Sequence, residues 1–533
     1  MTQTLVPTRV SAETLRDQLN DGAELALIDL REVGAFSAAH LLFAVCIPLS
    51  RIELEVATLI PRLDTRVVLT DEDGQLAERG AGVLTELGYT QVAQLDGGVH
   101  GWAAAGFELF SGVNVPSKAF GEFVEHRYHT PDIDADTLHA RIAAGENLVV
   151  LDSRPLAEFD AMSLPDGICT PGAELVYRVH DIAPDPETTV VVNCAGRTRS
   201  IIGAQSLINA GVPNPVVALR NGTMGWHLSG YDLRYGATGE VPETTPGGLQ
   251  SAQAAAARVA ERFGVNTIDP AELDVWRKDR SRTLFLLDVR TQPEFLAGHL
   301  PGARHAPGGQ LVQATDEYIG VRNARIALTD NDGIRATMTA SWLIQLGWPE
   351  VAVVKATASA RSERGPRPRP APILDELKPE LVSAPTLDRL RQEGRVNLLD
   401  LSRSDRFIKA HIPGAEHAIR SRIGQRLPEL PNRPWLVFTC ETGDLARLAA
   451  NDYTTATDAR VAALMGGNAA WLESGYSLVA SEHGAREPAE DIWASPYADS
   501  SRLREAMNAY LDWEIALVEQ IERDGTATFV AFD

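Results

Sequence analysis

The chain repeats one phrase four times. An apolar strand ending in aspartate recurs as LALIDLR (to Asp29), LVVLDSR (to Asp152), LFLLDVR (to Asp288) and VNLLDLS (to Asp400). A second apolar strand, RVVLTD, TVVVNC, ARIALTD and WLVFTC, ends at Asp71, Cys194, Asp330 and Cys440. The paired phrases stand 42, 42, 42 and 40 residues apart. A spacing held so closely marks four copies of one supersecondary unit, which constrains the fold more than any local motif.

Each second strand passes through a short loop into a helical pattern. In the first three copies the helix stops near Gly88, Gly211 and Gly347, where glycine supplies a left-handed cap. Another apolar strand follows, as in TQVAQLDGG and NPVVALRNG. Strands alternating with helices predict a parallel sheet covered on both faces. Three copies close on small residues and tryptophan: Gly98 and Trp102, Gly222 and Trp226, Gly467 and Trp471. The third runs instead into KATASARSERGPRPRPAP, which reads as a linker. A second linker, TGEVPETTPGG, leads into a predicted helix, SAQAAAARVAERFG. The expected division is repeats over 1–115, 125–238, 250–357 and 373–482, then a helical tail over 483–533. In that tail SRLREAMNAYLDWEIALVEQIERDG places apolar residues at helical spacing.

Composition narrows the function classes. The 533 residues, 44% hydrophobic and 23% charged, are those of a globular chain with room for about four domains. Forty-nine basic residues against 72 acidic ones give a net charge of −23, so nucleic acid and anionic membrane are not expected partners. An anion site must be a local exception to that field. Four cysteines exclude a disulfide scaffold. The N-terminus shows no secretory pattern and no apolar run reaches about 18 residues, which makes a cytoplasmic setting the expectation.

Three phrases carry a family resemblance: LLDVRTQPEFLAGHLPGARHAPGGQL in copy three, LDLSRSDRFIKAHIPGAEH in copy four and NCAGRTRSIIGAQSLINAGV in copy two. Their Asp-x-Arg, Glu-Phe, Gly-His-x-Pro-Gly-Ala and Cys-x4-Arg elements are weak singly and specific together. The chain resembles the rhodanese family over all four copies. The resemblance implies four small α/β domains, each with a parallel five-stranded sheet flanked by helices. It also implies an active cysteine opening a strand-to-helix loop, and sulfane-sulfur transfer through a cysteine persulfide.

The residues support that chemistry on their own account. Cys194 ends a strand just before a helix, the edge at which open α/β sheets bind ligands. The loop Cys194-Ala195-Gly196-Arg197-Thr198-Arg199-Ser200 surrounds one point with backbone N–H groups and a helix N-terminus. Helix termini and cations such as Arg197 and Arg199 lower a thiol pKa, so a thiolate in an anion-attracting pocket is expected. Thiosulfate, a dianion with an electrophilic outer sulfur, suits such a nucleophile in two half-reactions. Another sulfur donor, and cyanide or a small-molecule or protein thiol as acceptor, remain open, as does a homo-oligomer. No cofactor or metal is called for.

Cys440 is a second candidate nucleophile, but Leu445 stands where copy two has Arg199, and Glu441 and Asp444 bring negative charge. Arg447, one turn on, offers partial compensation. Asp71 and Asp330 occupy the cysteine position in acidic loops, so copies one and three are expected to be inactive. Cys46 and Cys169 read as packed thiols. Arg31, Arg154 and Arg290 read as partners of acidic neighbours such as Glu158 or Glu294, and His40, His299 and His411 as turn residues. Glu174 and Arg178 follow a Pro-Gly turn that could face the Cys194 loop. Two rival functions remain. A cysteine phosphatase is disfavoured because its Cys-x5-Arg loop is one residue longer than Cys194 to Arg199. A noncatalytic partner-binding scaffold suits copies one, three and four better than copy two.

Overall fold

The computed structural model describes residues 8–238, 242–485, 489–493 and 502–532. The expected sheets are all present. Four five-stranded sheets each run in the order 1-5-4-2-3, and every strand pairing within them is parallel. In the second repeat the strands are Asp132–Ile133, Leu148–Asp152, Ile168–Cys169, Thr189–Asn193 and Val216–Leu219. The two central ones, Leu148–Asp152 and Thr189–Asn193, are in register from Leu148 opposite Thr189 to Asp152 opposite Asn193. Val150, Leu151, Val190, Val191 and Val192 are buried because helices cover both faces, hence the unbroken apolar runs in the sequence. The chain leaves these neighbouring strands toward opposite sides, so a crevice opens at their carboxyl ends. Cys194 lies there.

The four repeats are gathered into two compact units. One compact unit comprises Met1–Ala12, Leu27–Val113 and Pro368–Ala494; the other comprises Glu13–Ala26, Asn114–Arg367 and Ser495–Asp533. In the first unit Arg420 of repeat four pairs with Glu53 of repeat one, both buried, at 2.7 and 2.8 Å. In the second, Arg335 of repeat three donates to Glu174 of repeat two at 2.9 Å. Glu174 and Arg178, which pair with each other, thus serve the contact between repeats rather than the Cys194 loop.

Two further expectations are corrected. Arg31, Arg154 and Arg290 pair with the aspartates two residues before them, Asp29, Asp152 and Asp288. Each also donates to the carbonyl of Ala39, Met162 or Gly298, which ties the strand end to the following turn. Glu158 and Glu294 serve other arginines, described below. The linker after repeat three is not merely a spacer: the Arg361 guanidinium donates to the Asp330 carbonyl. In the other repeats that carbonyl position is held by the small-residue turn that repeat three lacks. Among the described residues, no helix is long and apolar enough to cross a membrane.

The tail is a helix over Leu503–Asp524, packed in the second unit against a connecting helix over Val115–Tyr128. Its inward positions are Met507, Leu511, Glu514, Leu517 and Ile521, all buried. A carboxylate thus interrupts an apolar stripe. The rest of the predicted tail to residue 501, apart from 483–485 and 489–493, and Asp533 lie outside the described residues.

Candidate active site

The Cys194 loop is fixed from behind by backbone. Gly222 has φ +53°, and a Cβ there would sit 2.4 Å from the Cys194 carbonyl oxygen and 2.7 Å from that of Gly196. Only glycine allows this approach. The close turn lets Thr223 donate to the Cys194 carbonyl through its N–H (2.8 Å) and its hydroxyl (3.0 Å), while Met224 N–H reaches Ala195 (3.0 Å). Asn193 bridges Asp152 at 2.8 Å and Thr223 at 3.1 Å, which locks strand and turn together. With the carbonyls turned back, the Ser200 N–H faces the thiol from the first turn of a helix over Thr198–Asn209.

The two loop arginines separate. Arg199 forms a bidentate pair with Glu158, both distances 2.8 Å, and its charge acts on Cys194. Arg197, expected beside the thiol, instead engages Glu122 and Glu125 of the connecting helix, with Glu122 at 2.7 and 2.8 Å. It fastens that helix to the loop. The Ser200 hydroxyl donates to the Arg197 carbonyl at 2.8 Å and Ser200 also favours the ionised thiol. Ala195 packs beside Met224 under the tail helix, and Thr198 donates to Glu514 at 3.2 Å. Beyond Arg199 lies a largely apolar cleft between repeats two and three. It encloses about 440 Å³ counting its open mouth and is lined by Ser153, Gly308, Val312, Thr339 and Trp342 among others.

The tail helix closes the site, a feature missed from the sequence. Met507 and Leu511 pack on Met224, and Cys194 is left 2% exposed. Burial pushes the Cys194 thiol up; Arg199 and Ser200 oppose the shift, and the Glu514 carboxylate adds to it. A lowered pKa was expected from the loop alone; desolvation at this buried position reverses the sign. The available signal was Glu514 itself, an acid at an inward position of a helical stripe. Lys118 of the connecting helix was missed as well. It is buried, with its amine 5.7 Å from the Tyr510 ring and 5.2 Å from that of Trp513. Burial lowers its pKa to about 8 against the attraction of Glu514.

Cys440 has the same glycine backing without the cation, and its helix is entered through Gly443 at φ +90° where repeat two has Arg197 at φ −117°. Gly467 (φ +62°) stands behind its carbonyl, Asn468 N–H donates to it at 2.8 Å, and Gly443 N–H donates to the sulfur at 3.1 Å. The thiol is 3% exposed and burial pushes it up to about 11, although four loop N–H groups oppose the shift. Arg447 does not compensate: its guanidinium goes to the Leu374 carbonyl. In repeats one and three the aspartate fills its own anion nest. Asp71 accepts from Gly74 and Leu76, both at 2.5 Å, and from Ala77 at 3.1 Å; Asp330 accepts from Gly333 at 2.6 Å and Ala336 at 2.9 Å. The carboxylate in each case takes up loop N–H groups that would otherwise be open to an external anion.

The remaining thiols and imidazoles are bound locally. Cys46 and Cys169 donate to the carbonyls of Arg31 and Arg154 at 3.6 and 3.7 Å, and burial pushes Cys169 up to about 12. His40, His299 and His411 stack on Phe36, Phe295 and Phe407 and bond neighbouring carbonyls, as the turn reading expects.

Comparison with known proteins agrees with this geometry. The model of the rhodanese-like domain matches residues 11–105, 134–229, 269–357 and 383–474. A crystal structure of thiosulfate sulfurtransferase from Pseudomonas aeruginosa is 46% identical, with a TM-score of 0.95, covering 99% of this chain and all of that one. The wild-type structure of EanB is 16% identical with a TM-score of 0.24, over 69% of this chain and all of that one, too slight a likeness to bear on fold or activity. No curated protein matches the chain.

Proposed function

The chain belongs to the rhodanese family, and we propose that it is a sulfurtransferase carrying sulfane sulfur as a persulfide on Cys194. The donor we assign is thiosulfate, supported by the similarity to a protein of that activity; the acceptor is cyanide or a thiol. One observation carries the reading. Of the four cysteines, Cys194 alone opens a loop that joins a helix N-terminus to a cation, Arg199, oriented by its own carboxylate.

The Cys194 thiolate attacks the outer sulfur of thiosulfate. A bond forms from Sγ to that sulfur, the bond to the sulfonate sulfur breaks, and sulfite leaves with the electron pair. Arg199 and the loop N–H groups offset the negative charge gathered at the loop. The acceptor then attacks the outer persulfide sulfur and returns Cys194 as thiolate, completing two half-reactions. The raised thiol pKa makes the first half-reaction faster as pH rises toward the ionisation of Cys194. Cys194→Ser tests the assignment: thiosulfate:cyanide activity is expected to vanish with the fold unchanged by circular dichroism. Retention of more than a few per cent of activity overturns it.

A further inference from the structure

Glu514 is a buried acid over the sulfur-carrying loop, and one of its oxygens has no partner. Oε1 accepts from Thr198 (3.2 Å) and from the Tyr510 hydroxyl (3.1 Å). Oε2 is buried and makes no hydrogen bond with the described residues. It lies over Gly196, where an added Cβ would approach it to 3.0 Å. The group therefore sits across the N–H groups that an incoming anion would use, and its stripe position would ordinarily call for leucine. An unpartnered oxygen in so dry a place is destabilising, so a purely structural role accounts for it poorly.

We propose that Glu514 is a specificity-determining residue for the sulfur donor: as the neutral acid it donates from Oε2 to a sulfonate oxygen, and as the carboxylate it excludes the dianion. This rests on the reading of Cys194 as the sulfur carrier. Donor binding then takes up a proton at Glu514, and sulfur transfer follows with sulfite as leaving group. The surrounding charges permit both states. Lys118 and Glu122 face Glu514 from the connecting helix, Cys194 and Arg197 from the loop, and Tyr510 from its own helix. Asp316 and Glu317 of repeat three act on Lys118. Burial raises the Glu514 carboxyl above its usual range, with Lys118 opposing. The neutral acid thus persists to higher pH than in water.

The test is the rate of sulfur loading from thiosulfate, read by intact mass, for the wild-type protein and Glu514→Gln. Near pH 6 the two rates are expected to agree within about twofold; near pH 9 the glutamine variant is expected to load about tenfold faster, the effect of removing one like charge. The ionised fraction of Cys194 is read by alkylation in both proteins at each pH and loading is compared per thiolate, so an advantage acting only through the thiol cancels. A ratio that stays constant with pH, or falls at high pH, overturns the proposal. Should the glutamine variant misfold, proton uptake by Cys194→Ser on adding thiosulfate in weak buffer decides: uptake at neutral pH supports the proposal and its absence overturns it. A wild-type protein that loads at no pH would instead remove the sulfurtransferase reading itself.

Discussion

The loops at Cys194 and Cys440 share a layout and differ in side chains, Cys-Ala-Gly-Arg-Thr-Arg-Ser in one and Cys-Glu-Thr-Gly-Asp-Leu-Ala in the other. In each, a left-handed glycine backs the cysteine carbonyl, and a helix starts four residues after the thiol. Repeat two then places Arg199 on Glu158; repeat four has Leu445 and Arg406 at the matching positions. Repeat three shows the converse, with Arg335 on Glu294 but Asp330 for the cysteine. Repeat one has neither, with Leu76, Ala35 and Asp71. Nucleophile and ion pair therefore separate across the four copies and coincide in one. On the reading proposed above, the cation is what would let one of these loops draw a dianion into a chain of net charge −23.

Breaking the pair in repeat two should have the largest effect. Arg199→Leu copies the fourth repeat, leaving Glu158 without its partner and Cys194 without its cation. Thiosulfate loading is expected to fall roughly 100-fold, and the pH profile of Cys194 alkylation to move upward, since losing a cation disfavours the thiolate. An unchanged profile with an unchanged Michaelis constant would refute the role given to Arg199. The reverse transplant sharpens the comparison. Leu445→Arg combined with Arg406→Glu should lower the Cys440 pKa from about 11 by roughly one unit and speed its alkylation near pH 8 about tenfold. No change would mean that these two side chains are insufficient.

In repeat three the same pair acts on stability alone. Burial opposes the charge on Glu294, yet pairing with Arg335 holds its carboxyl down to about 2, below the usual 4.5. A carboxylate depressed in this way stabilises the fold above about pH 4.5, and the contribution fades as pH falls toward 2. Glu294→Gln should cost about 2 kcal/mol in denaturant unfolding at pH 7 and much less near pH 3. An equal loss at both values would show that the pairing is not its source. The smallest effects belong to the packed thiols: Cys46→Ala and Cys169→Ala should each cost about 1 kcal/mol or less and leave sulfur loading intact.

The sheets were legible because strand and helix periods recur at a fixed offset, and repetition averages out local ambiguity. The Cys194 loop was legible because its chemistry is contiguous in sequence. What stayed hidden depends on distant pairing. Arg197 and Arg199 look alike in sequence, and only Glu122, Glu125 and Glu158 send them apart. Glu514 lies 320 residues beyond Cys194, and only helix packing brings it over the loop. The sign of the thiol shift was hidden for a like reason: loop charge is local in sequence, while burial of the thiol depends on the packing around it. The pairing of repeat one with four and two with three likewise rests on side chains such as Glu53 and Arg420 that no periodicity joins.

The central claim is that loop charge selects the active repeat, and a time-resolved peptide map tests it most directly. The protein is exposed briefly to stoichiometric thiosulfate, digested, and the sulfur-bearing peptides are counted. The account predicts one sulfur per chain, on the peptide of Cys194, with Cys440 loading slowly or not at all. Equal loading of Cys194 and Cys440 at the earliest times would contradict it.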